Sequence, residues 1–228
     1  MQSDLPIYRP STNPYWKKIK SLSGGAYTDE DCEQFKGQWR SRFAPTPHSP
    51  IHVEIGCNGG HVLLKWAERS PETLFIGIDW KFKQIYLAHE KAQKRGLKNV
   101  IFLRAHAARL PLIFAPGEVS QFFLFFPDPW PKRAHWPNRF VTAERLNMIH
   151  SLTEAGGEFQ IKTDHDGYFE WMEREVPKAT SEWKIKEKSS DLHMNHPDPQ
   201  SLEIPEVTLF ERIFIREGIK IKRLTLSR

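Results

Sequence analysis

The 228-residue sequence predicts an α/β fold in which a mostly parallel sheet carries helices on both faces. Two observations support this fold class. Short apolar runs alternate with stretches of helical spacing over residues 51–174. Near the C-terminus, residues 208–216 and 219–224 show β-like alternation and are separated by Glu217-Gly218. These last two runs predict an antiparallel C-terminal hairpin at one edge of the sheet.

The first predicted elements alternate strand and helix. Residues 51–56 form a short apolar strand that ends in a glycine, and residues 62–69 follow with helical spacing. Residues 73–78 form the next strand. The helix predicted at residues 81–95 is closed by Gly96, a residue type that commonly ends helices.

The second half of the chain continues this alternation. In chain order it predicts strands at residues 99–103 and 119–125, a helix at 138–154, a strand at 158–163 and a helix at 166–174. The pair Gly156-Gly157 is expected to turn the chain from the long helix into the strand that follows.

Two segments fall outside the alternation. The proline-rich residues 2–50 are predicted to lie over the domain as an arm, which divides the chain into an N-terminal arm at 1–50 and one domain at 51–228. Residues 189–205 are rich in His, Asn, Pro and Ser and are predicted to form a long loop. Long loops in compact domains are usually functional or disordered.

A glycine-rich turn joins the first strand to the first helix. Residues 53–60 read Val-Glu-Ile-Gly-Cys-Asn-Gly-Gly, which lets the backbone approach a ligand closely. Asp79 ends the second strand, 23 residues after Gly56, where nucleotide-binding sheets place a carboxylate that accepts from ribose hydroxyls. A local role is the alternative, because Asp79 could cap the helix that starts near Lys81.

Two cofactor classes fit such a turn. A dinucleotide requires the full Gly-x-Gly-x-x-Gly run beneath its pyrophosphate, which this sequence lacks. S-adenosylmethionine has no phosphate but carries a sulfonium cation, and the carboxylates of Glu54 and Asp128 suit that charge. The charges therefore favour S-adenosylmethionine, with a nicotinamide oxidoreductase as the alternative.

A stiff loop follows the strand at residues 119–125. Residues 125–133 read Phe-Phe-Pro-Asp-Pro-Trp-Pro-Lys-Arg. Each proline fixes its own φ and pushes the preceding residue toward extended geometry, which restricts Asp128 and Trp130. Open α/β sheets bind ligands at the carboxyl ends of their strands, so this loop is a candidate site. A plain turn that caps the strand is the alternative.

These motifs resemble the bacterial tRNA (guanine-N7-)-methyltransferases. The glycine turn, Asp79, the proline-rich segment at 126–132, Thr163-Asp164 and Thr-Leu-Phe-Glu at 208–211 occur in the family's order. The proline-rich and Thr-x-Phe-Glu elements are specific, whereas the glycine turn is common to many methyltransferases. The resemblance implies a Rossmann-like class I methyltransferase fold. It also implies S-adenosylmethionine as the donor and N7 of a guanine in the tRNA variable loop as the acceptor.

The resemblance also assigns residues to the two ligands. It implies a cofactor site formed by Glu54, Gly56, Asn58, Gly60, Asp79, Trp80, His106, Ala107 and Asp128. It implies a substrate site formed by Lys132, Asp164, Thr208, Leu209, Phe210 and Glu211. Asp128, expected where cofactor and base meet, is the predicted catalytic residue. No metal site is predicted.

Two positions depart from the family. The family usually reads Gly-x-Gly-x-Gly in its first loop, and here Asn58 occupies the middle glycine position. Asparagine tolerates left-handed φ better than most residues, so the turn is expected to survive. His106 stands where the family usually has an acidic residue before alanine, and its imidazole donates or accepts according to its tautomer. The alternative function is therefore an RNA-binding protein of this fold with weak or no turnover.

The residue types suit methyl transfer to guanine. Guanine N7 carries a lone pair at neutral pH, so no base is needed, and Asp128 is expected to stabilise the cationic ring that forms. Asp164 and Glu211 can accept from the N1–H and amino group of guanine, while Lys132 can bind a phosphate or base oxygen. Asp164 could instead cap the helix at 166–174, and residues 208–210 could be ordinary edge-strand residues.

Basic and aromatic residues extend the candidate substrate site. They follow the proline-rich loop and are Lys132, Arg133, His135, Trp136, Arg139 and Arg145. A cationic strip with interleaved aromatic rings fits a phosphate backbone and an exposed base. A solvated helix face is the alternative.

Composition narrows the function classes further. The net charge of +5 permits a polyanionic partner without requiring one. No apolar run approaches the ~20 residues of a membrane span, and the first residues lack a signal-peptide core. Only Cys32 and Cys57 occur, too few for a disulfide scaffold, which predicts a cytoplasmic protein. The sequence leaves monomer and homodimer open.

Overall fold

The structure is a computed structural model that describes residues 12–195 and 207–228. The chain divides into two compact units, Met1–Ser120 and Gln121–Arg228. Strands and helices alternate along the chain, which confirms the predicted α/β fold class. The division into an arm at 1–50 and a domain at 51–228 stays a prediction.

Among the described residues of the first unit, four strands form a parallel sheet. They are β1 (Ala26–Thr28), β2 (Ile51–Ile55), β3 (Leu74–Asp79) and β4 (Val100–Arg104). They lie in the order β1-β4-β3-β2, and each neighbouring pair is parallel. The sequence predicts β2, β3 and β4 to within a residue or so. It misses β1 because three residues are too few to show a period of two.

Helices pack against these strands. They are α1 (Pro14–Lys20), α2 (Trp39–Phe43), α3 (His61–Arg69), α4 (Phe82–Lys94) and α5 (Leu110–Ile113), with 3₁₀ helices at Asp29–Phe35 and Ala107–Arg109. α3 buries Leu63, Leu64 and Ala67, as its helical spacing predicts. Gly96 follows α4 with φ +67°, the left-handed conformation expected of a closing glycine.

The second part of the chain carries the antiparallel strands. Its strands are β5 (Val119–Phe125), β6 (Thr153–Thr163), β7 (Lys184–Ser189) and β8 (Lys222–Ser227), in the order β5-β6-β8-β7. β8 is antiparallel to both β6 and β7. The helices are α6 (Ala143–Leu152), α7 (Asp166–Glu175), α8 (Leu192–Asn195) and α9 (Leu209–Arg216), with 3₁₀ helices at Arg133–Asn138 and Val176–Lys178.

The predicted hairpin of residues 208–216 and 219–224 is wrong. Thr208 caps α9, with Oγ1 accepting from the Glu211 N–H at 3.0 Å while the Glu211 carboxylate accepts from the Thr208 N–H. This reciprocal capping box starts a helix despite the apolar alternation of the segment. The antiparallel pairs of β8 are made instead with β6 and with β7. The sequence misses β7 because Ile185 is its only large apolar residue.

Three other boundaries differ from the predictions. α6 begins five residues later than expected because Thr142 caps it, accepting from the Arg145 N–H at 3.3 Å. β6 begins before the glycine pair, and the N–H of Gly156 donates to the carbonyl of Arg228 at 3.3 Å. The predicted loop at 189–205 contains the short α8, and residues 196–206 lie outside the described residues. Among the described helices, none combines the length and apolarity that a membrane crossing requires.

Candidate functional site

Two glycines of the turn between β2 and α3 have different physical roles. Gly60 has φ +68°, and a Cβ there would lie 2.8 Å from a ring carbon of Phe102. Gly56 has φ +82°, and a Cβ there would meet no atom within 4 Å. Gly60 is therefore required for packing within the first unit. Gly56 leaves open space beside the backbone, as a ligand-binding turn needs.

Asn58 and Asp79 are joined by a hydrogen bond. The backbone N–H of Asn58, in the left-handed region at φ +49°, donates to Oδ2 of Asp79 at 2.9 Å. The N–H of Lys81 donates to Oδ1 of Asp79 at 2.8 Å. Asn58 therefore adopts the conformation expected for the glycine it replaces. The alternative, that Asp79 caps the following helix, is wrong, because the N-cap of α4 is Lys81 and has no side-chain cap bond. Each oxygen of Asp79 keeps a lone pair for a ribose hydroxyl.

Negative charge gathers around the same turn. Glu54 lies in β2 and is only 5% exposed. Burial raises the pKa of the Cys57 thiol well above its usual value. The negative charges of Glu54 and Asp79 raise it further. Two carboxylates acting on one buried atom favour a bound cation and disfavour a pyrophosphate.

An exposed indole lies beside the loop that follows β4. Trp80 is 48% exposed, and the Arg104 guanidinium lies 3.8 Å from the centre of its ring. The ring of His106 meets Trp80 edge-on, with centroids 5.4 Å apart. Nδ1 of His106 accepts from the N–H of Ala108 at 3.2 Å, so a neutral ring carries its proton on Nε2. Ala107 begins the 3₁₀ helix that this bond caps.

The proline-rich loop around Asp128 has an unusual backbone conformation. Asp128 is exposed, and no hydrogen bond or ion pair joins its carboxylate to another of the described residues. Phe126 has φ +52° and Trp130 has φ +43°. The extended geometry predicted for Trp130 is therefore wrong: a proline disfavours the right-handed helical region for its predecessor, and the left-handed region is used here. Large residues with positive φ mark strained segments, which concentrate at functional sites.

Arg139 does not belong to the predicted surface strip. It is 2% exposed, and burial lowers the pKa of its guanidinium. Lys132 and Arg133 are exposed, and Arg145 is half-buried with Nη1 donating to the carbonyl of Arg139 at 2.9 Å. Sequence patterns could not separate the buried Arg139 from the exposed Arg133, because both lie in the same polar, proline-rich segment.

Asp164 does not cap α7. That role belongs to His165, whose Nδ1 accepts from the N–H of Tyr168 at 3.1 Å. The carbonyl of Asp164 accepts from Nζ of Lys222 at 2.8 Å, and its carboxylate has no bonded partner among the described residues. The half-buried carboxylate is thus left to accept from a ligand.

The Thr-Leu-Phe-Glu element forms the start of α9. Leu209 and Phe210 are 56% and 53% exposed, whereas Glu211 is completely buried. Nζ of Lys162 lies 3.0 Å from both oxygens of Glu211, and Nε2 of His193 lies 3.0 Å from Oε1. Although burial works to raise it, the contacts with His193 and Lys162 lower the pKa of Glu211.

This placement turns the carboxylate of Glu211 into the interior of the second unit, away from the surface. A completely buried carboxylate that already binds Lys162, His193 and the Thr208 N–H presents no acceptor to a base at the surface. Sequence reasoning missed Lys162 and His193. The Thr-x-x-Glu capping pattern is the signal that could have placed Glu211 in the first turn of a helix. Within the described residues, no cluster of three or more side chains suited to a metal ion occurs.

The sequence of the chain is similar to those of known methyltransferases. Residues 48–224 match the protein family described as "Putative methyltransferase". The chain is 34% identical over 194 residues to a tRNA (guanine-N(7)-)-methyltransferase of Bdellovibrio bacteriovorus, covering 85% of this chain and 90% of the relative. It is 31% identical over 193 residues to a protein of the same name from Brevibacillus brevis, covering 85% of this chain and 86% of the relative.

Solved structures resemble the fold. An antibiotic-related methyltransferase superposes with a TM-score of 0.62 at 19% identity, covering 91% of this chain and 98% of the other. A 16S rRNA methyltransferase superposes with a TM-score of 0.59 at 20% identity, covering 84% and 91%. At these identities the likeness concerns the fold alone, and it confirms the predicted class I methyltransferase architecture.

Proposed function

The chain belongs to the bacterial tRNA (guanine-N7-)-methyltransferase family, and we propose that it transfers a methyl group from S-adenosylmethionine to N7 of a guanine in the tRNA variable loop. The observation that carries this proposal is the relationship itself: 34% identity extending over 85% of the chain. Two sets of residues support it, one in each unit.

The glycine turn of the first unit fits S-adenosylmethionine. When bound, this cofactor supplies an electrophilic methyl group on a sulfonium. The open space at Gly56 admits the amino-acid tail, and the charges of Glu54 and Asp79 suit the cation and the ribose hydroxyls. Trp80 offers an apolar face and His106 a ring N–H to the adenine. Asn58 keeps the turn in the left-handed conformation expected at this position.

Asp128 is proposed to act by charge and position. Guanine N7 is already nucleophilic, so the protein gains most by aligning it with the methyl group, an effect worth ~7–11 kcal/mol in favourable cases. Methylation leaves the purine cationic, and an exposed carboxylate in a fixed loop stabilises that charge as it develops. Proton abstraction by Asp128 is not required.

The second unit offers groups to the tRNA. The carboxylate of Asp164 can accept from N1–H and the amino group of guanine, a donor pair that adenine lacks. Leu209 and Phe210 expose apolar surface on which a base can stack, with Thr208 beside them. Lys132 is exposed and can bind a phosphate. Glu211 is proposed to hold the start of α9 and not to contact the base.

The proposal is tested by methyl transfer to an unmodified tRNA transcript. Purified protein is incubated with methyl-labelled donor. The product is then reduced with borohydride and treated with aniline, which cleaves the chain at the reduced 7-methylguanosine. We expect incorporation and a single cleavage in the variable loop. A protein that binds donor and tRNA without incorporating label would support the alternative of an RNA-binding protein with the methyltransferase fold.

A further inference from the structure

Arg139 occupies an aromatic enclosure inside the second unit. Its side chain is 2% exposed. The centre of its guanidinium lies 4.9 Å from the ring centroid of Trp136, 5.1 Å from that of Trp171 and 5.2 Å from that of Tyr168. Rings at these distances attract a cation through their faces. The enclosure therefore holds the guanidinium at one place.

The guanidinium is bonded to the proline-rich loop. Nε donates to the carbonyl of Pro129 at 2.9 Å, and Nη2 lies 3.5 Å from the carbonyl of Trp130. These carbonyls belong to the two residues that directly follow Asp128. The planar fork of an arginine can bind two successive carbonyls at once, which the single ammonium of a lysine cannot reproduce.

Stability alone does not explain this arrangement. The side chain of Arg139 is almost completely buried, so its charge is poorly solvated, and this burial lowers the pKa of the guanidinium. No carboxylate among residues 12–195 and 207–228 forms an ion pair with it. An apolar side chain of similar volume would fill the same enclosure without the cost of burying a charge.

The loop conformation requires support from outside. Phe126 and Trp130 both have positive φ, a region that large side chains avoid. Such residues keep this conformation only where their surroundings enforce it. Arg139 bonds to the carbonyls of Pro129 and Trp130, and Trp130 is one of the two residues with positive φ.

We propose that Arg139 is a positioning residue that holds the loop at residues 126–131 in the conformation that presents Asp128. It acts through the backbone and has no contact with tRNA, since it is buried. The consequence for catalysis rests on the proposed function, whereas the effect on the loop does not.

The test uses three variants of the full chain, Arg139→Lys, Arg139→Ala and Arg223→Lys. Arg139→Lys retains a cation in the enclosure but removes the fork. Arg223→Lys is the matched control, because Arg223 is 5% exposed in the same unit and pairs with Glu187. Hydrogen exchange of the peptide that covers residues 126–133 is measured by mass spectrometry. Initial rates are then measured with labelled donor and tRNA.

We expect exchange in the loop peptide to rise only in Arg139→Lys. Its kcat should fall by about 100-fold, the effect of a catalytic group displaced by an ångström, with both KM values nearly unchanged. Added methylguanidinium should restore part of the kcat of Arg139→Ala. Unchanged loop exchange would overturn the proposal, and so would a lower salt dependence of tRNA binding, which would indicate a phosphate contact. Increased exchange across the whole second unit would show a general structural role instead.

These readouts separate the inference from the proposed function. If the wild-type protein methylates no tRNA, the proposed function fails, while loop exchange in Arg139→Lys still decides whether Arg139 holds the loop.

Discussion

The N–H of Asn58 donates a 2.9 Å hydrogen bond to Oδ2 of Asp79. This bond joins the turn after β2 to the end of β3 and holds Asn58 in a left-handed conformation. The carboxylate expected to bind the ribose therefore also shapes the turn expected to receive the rest of the cofactor. Replacing Asp79 should therefore weaken the donor site twice, through loss of the ribose contact and through loss of the bond that shapes the turn.

We expect Asp79→Ala to raise the KM for S-adenosylmethionine by at least about tenfold, because it removes two backbone bonds of about 1 kcal/mol each in addition to the ribose contact. The KM for tRNA should change little. Initial rates at varied donor and varied tRNA separate the two constants. Equal increases in both would argue against a ribose contact.

Gly56→Ala and Gly60→Ala form a matched pair. Gly60→Ala should lower the free energy of unfolding by roughly 2–5 kcal/mol, because a left-handed alanine adds to a clash with Phe102. Gly56→Ala adds only the left-handed strain of about 1–2 kcal/mol, yet its methyl group enters the open space at the turn. Denaturant unfolding should therefore show the larger loss of stability in Gly60→Ala, whereas calorimetry should show the larger loss of donor affinity in Gly56→Ala. A Gly56→Ala protein with normal donor affinity would exclude the turn as the cofactor site.

Asp128→Asn should abolish methyl transfer while the fold and donor affinity are retained. The exposed carboxylate has no bonded partner among the described residues, so its replacement leaves no buried group unpaired. Single-turnover rates and thermal unfolding provide the two measurements. A turnover near that of the wild type would refute the electrostatic role of Asp128.

Lys132→Ala should weaken tRNA binding and reduce the slope of log K against log salt by about one, as the loss of one phosphate contact predicts. Lys184→Ala is a suitable control, since Lys184 is also exposed but lies on β7. Binding is measured by filter retention between low and physiological salt. An unchanged slope would show that Lys132 does not touch phosphate.

The buried pair of Glu211 and Lys162 predicts a dependence of stability on pH. The pKa of Glu211 is lowered in the folded protein, so its charged form stabilises the fold above the unfolded pKa of about 4.3. That stabilisation is lost as the pH falls through the lower folded value.

Glu211→Gln should therefore cost about 3–5 kcal/mol at pH 7, because the buried Lys162 loses its carboxylate partner. The difference from the wild type should shrink between pH 5 and pH 3. Chemical unfolding across this range measures it, with the exposed Glu217→Gln as the control. A constant difference would mean that the carboxylate charge is not what stabilises α9.

The predictable part of the fold was the part with strong local periodicity. β2, α3, β3 and α4 follow from apolar spacing and closing glycines, and Asn58 adopts the left-handed turn predicted for it. The apolar pattern predicts a strand where α9 forms, because a single reciprocal contact between Thr208 and Glu211 decides the start of the helix. Such a contact outweighs an ambiguous apolar pattern of eight residues.

The candidate site was predictable as a set of residue types but not as a set of roles. Asp128, Lys132 and Phe210 are exposed as a ligand site requires, whereas Arg139 and Glu211 are buried. Burial of a charged residue depends on distant partners such as Trp171 and Lys162. Sequence spacing does not reveal those partners.

The most direct measurement uses a tRNA in which 7-deazaguanosine replaces the variable-loop guanosine. This substitution removes the N7 acceptor and keeps the N1–H and the amino group. We expect the substituted tRNA to compete for binding about as well as the normal transcript while accepting no labelled methyl group. Methylation of the substituted tRNA at the normal rate would contradict transfer to N7.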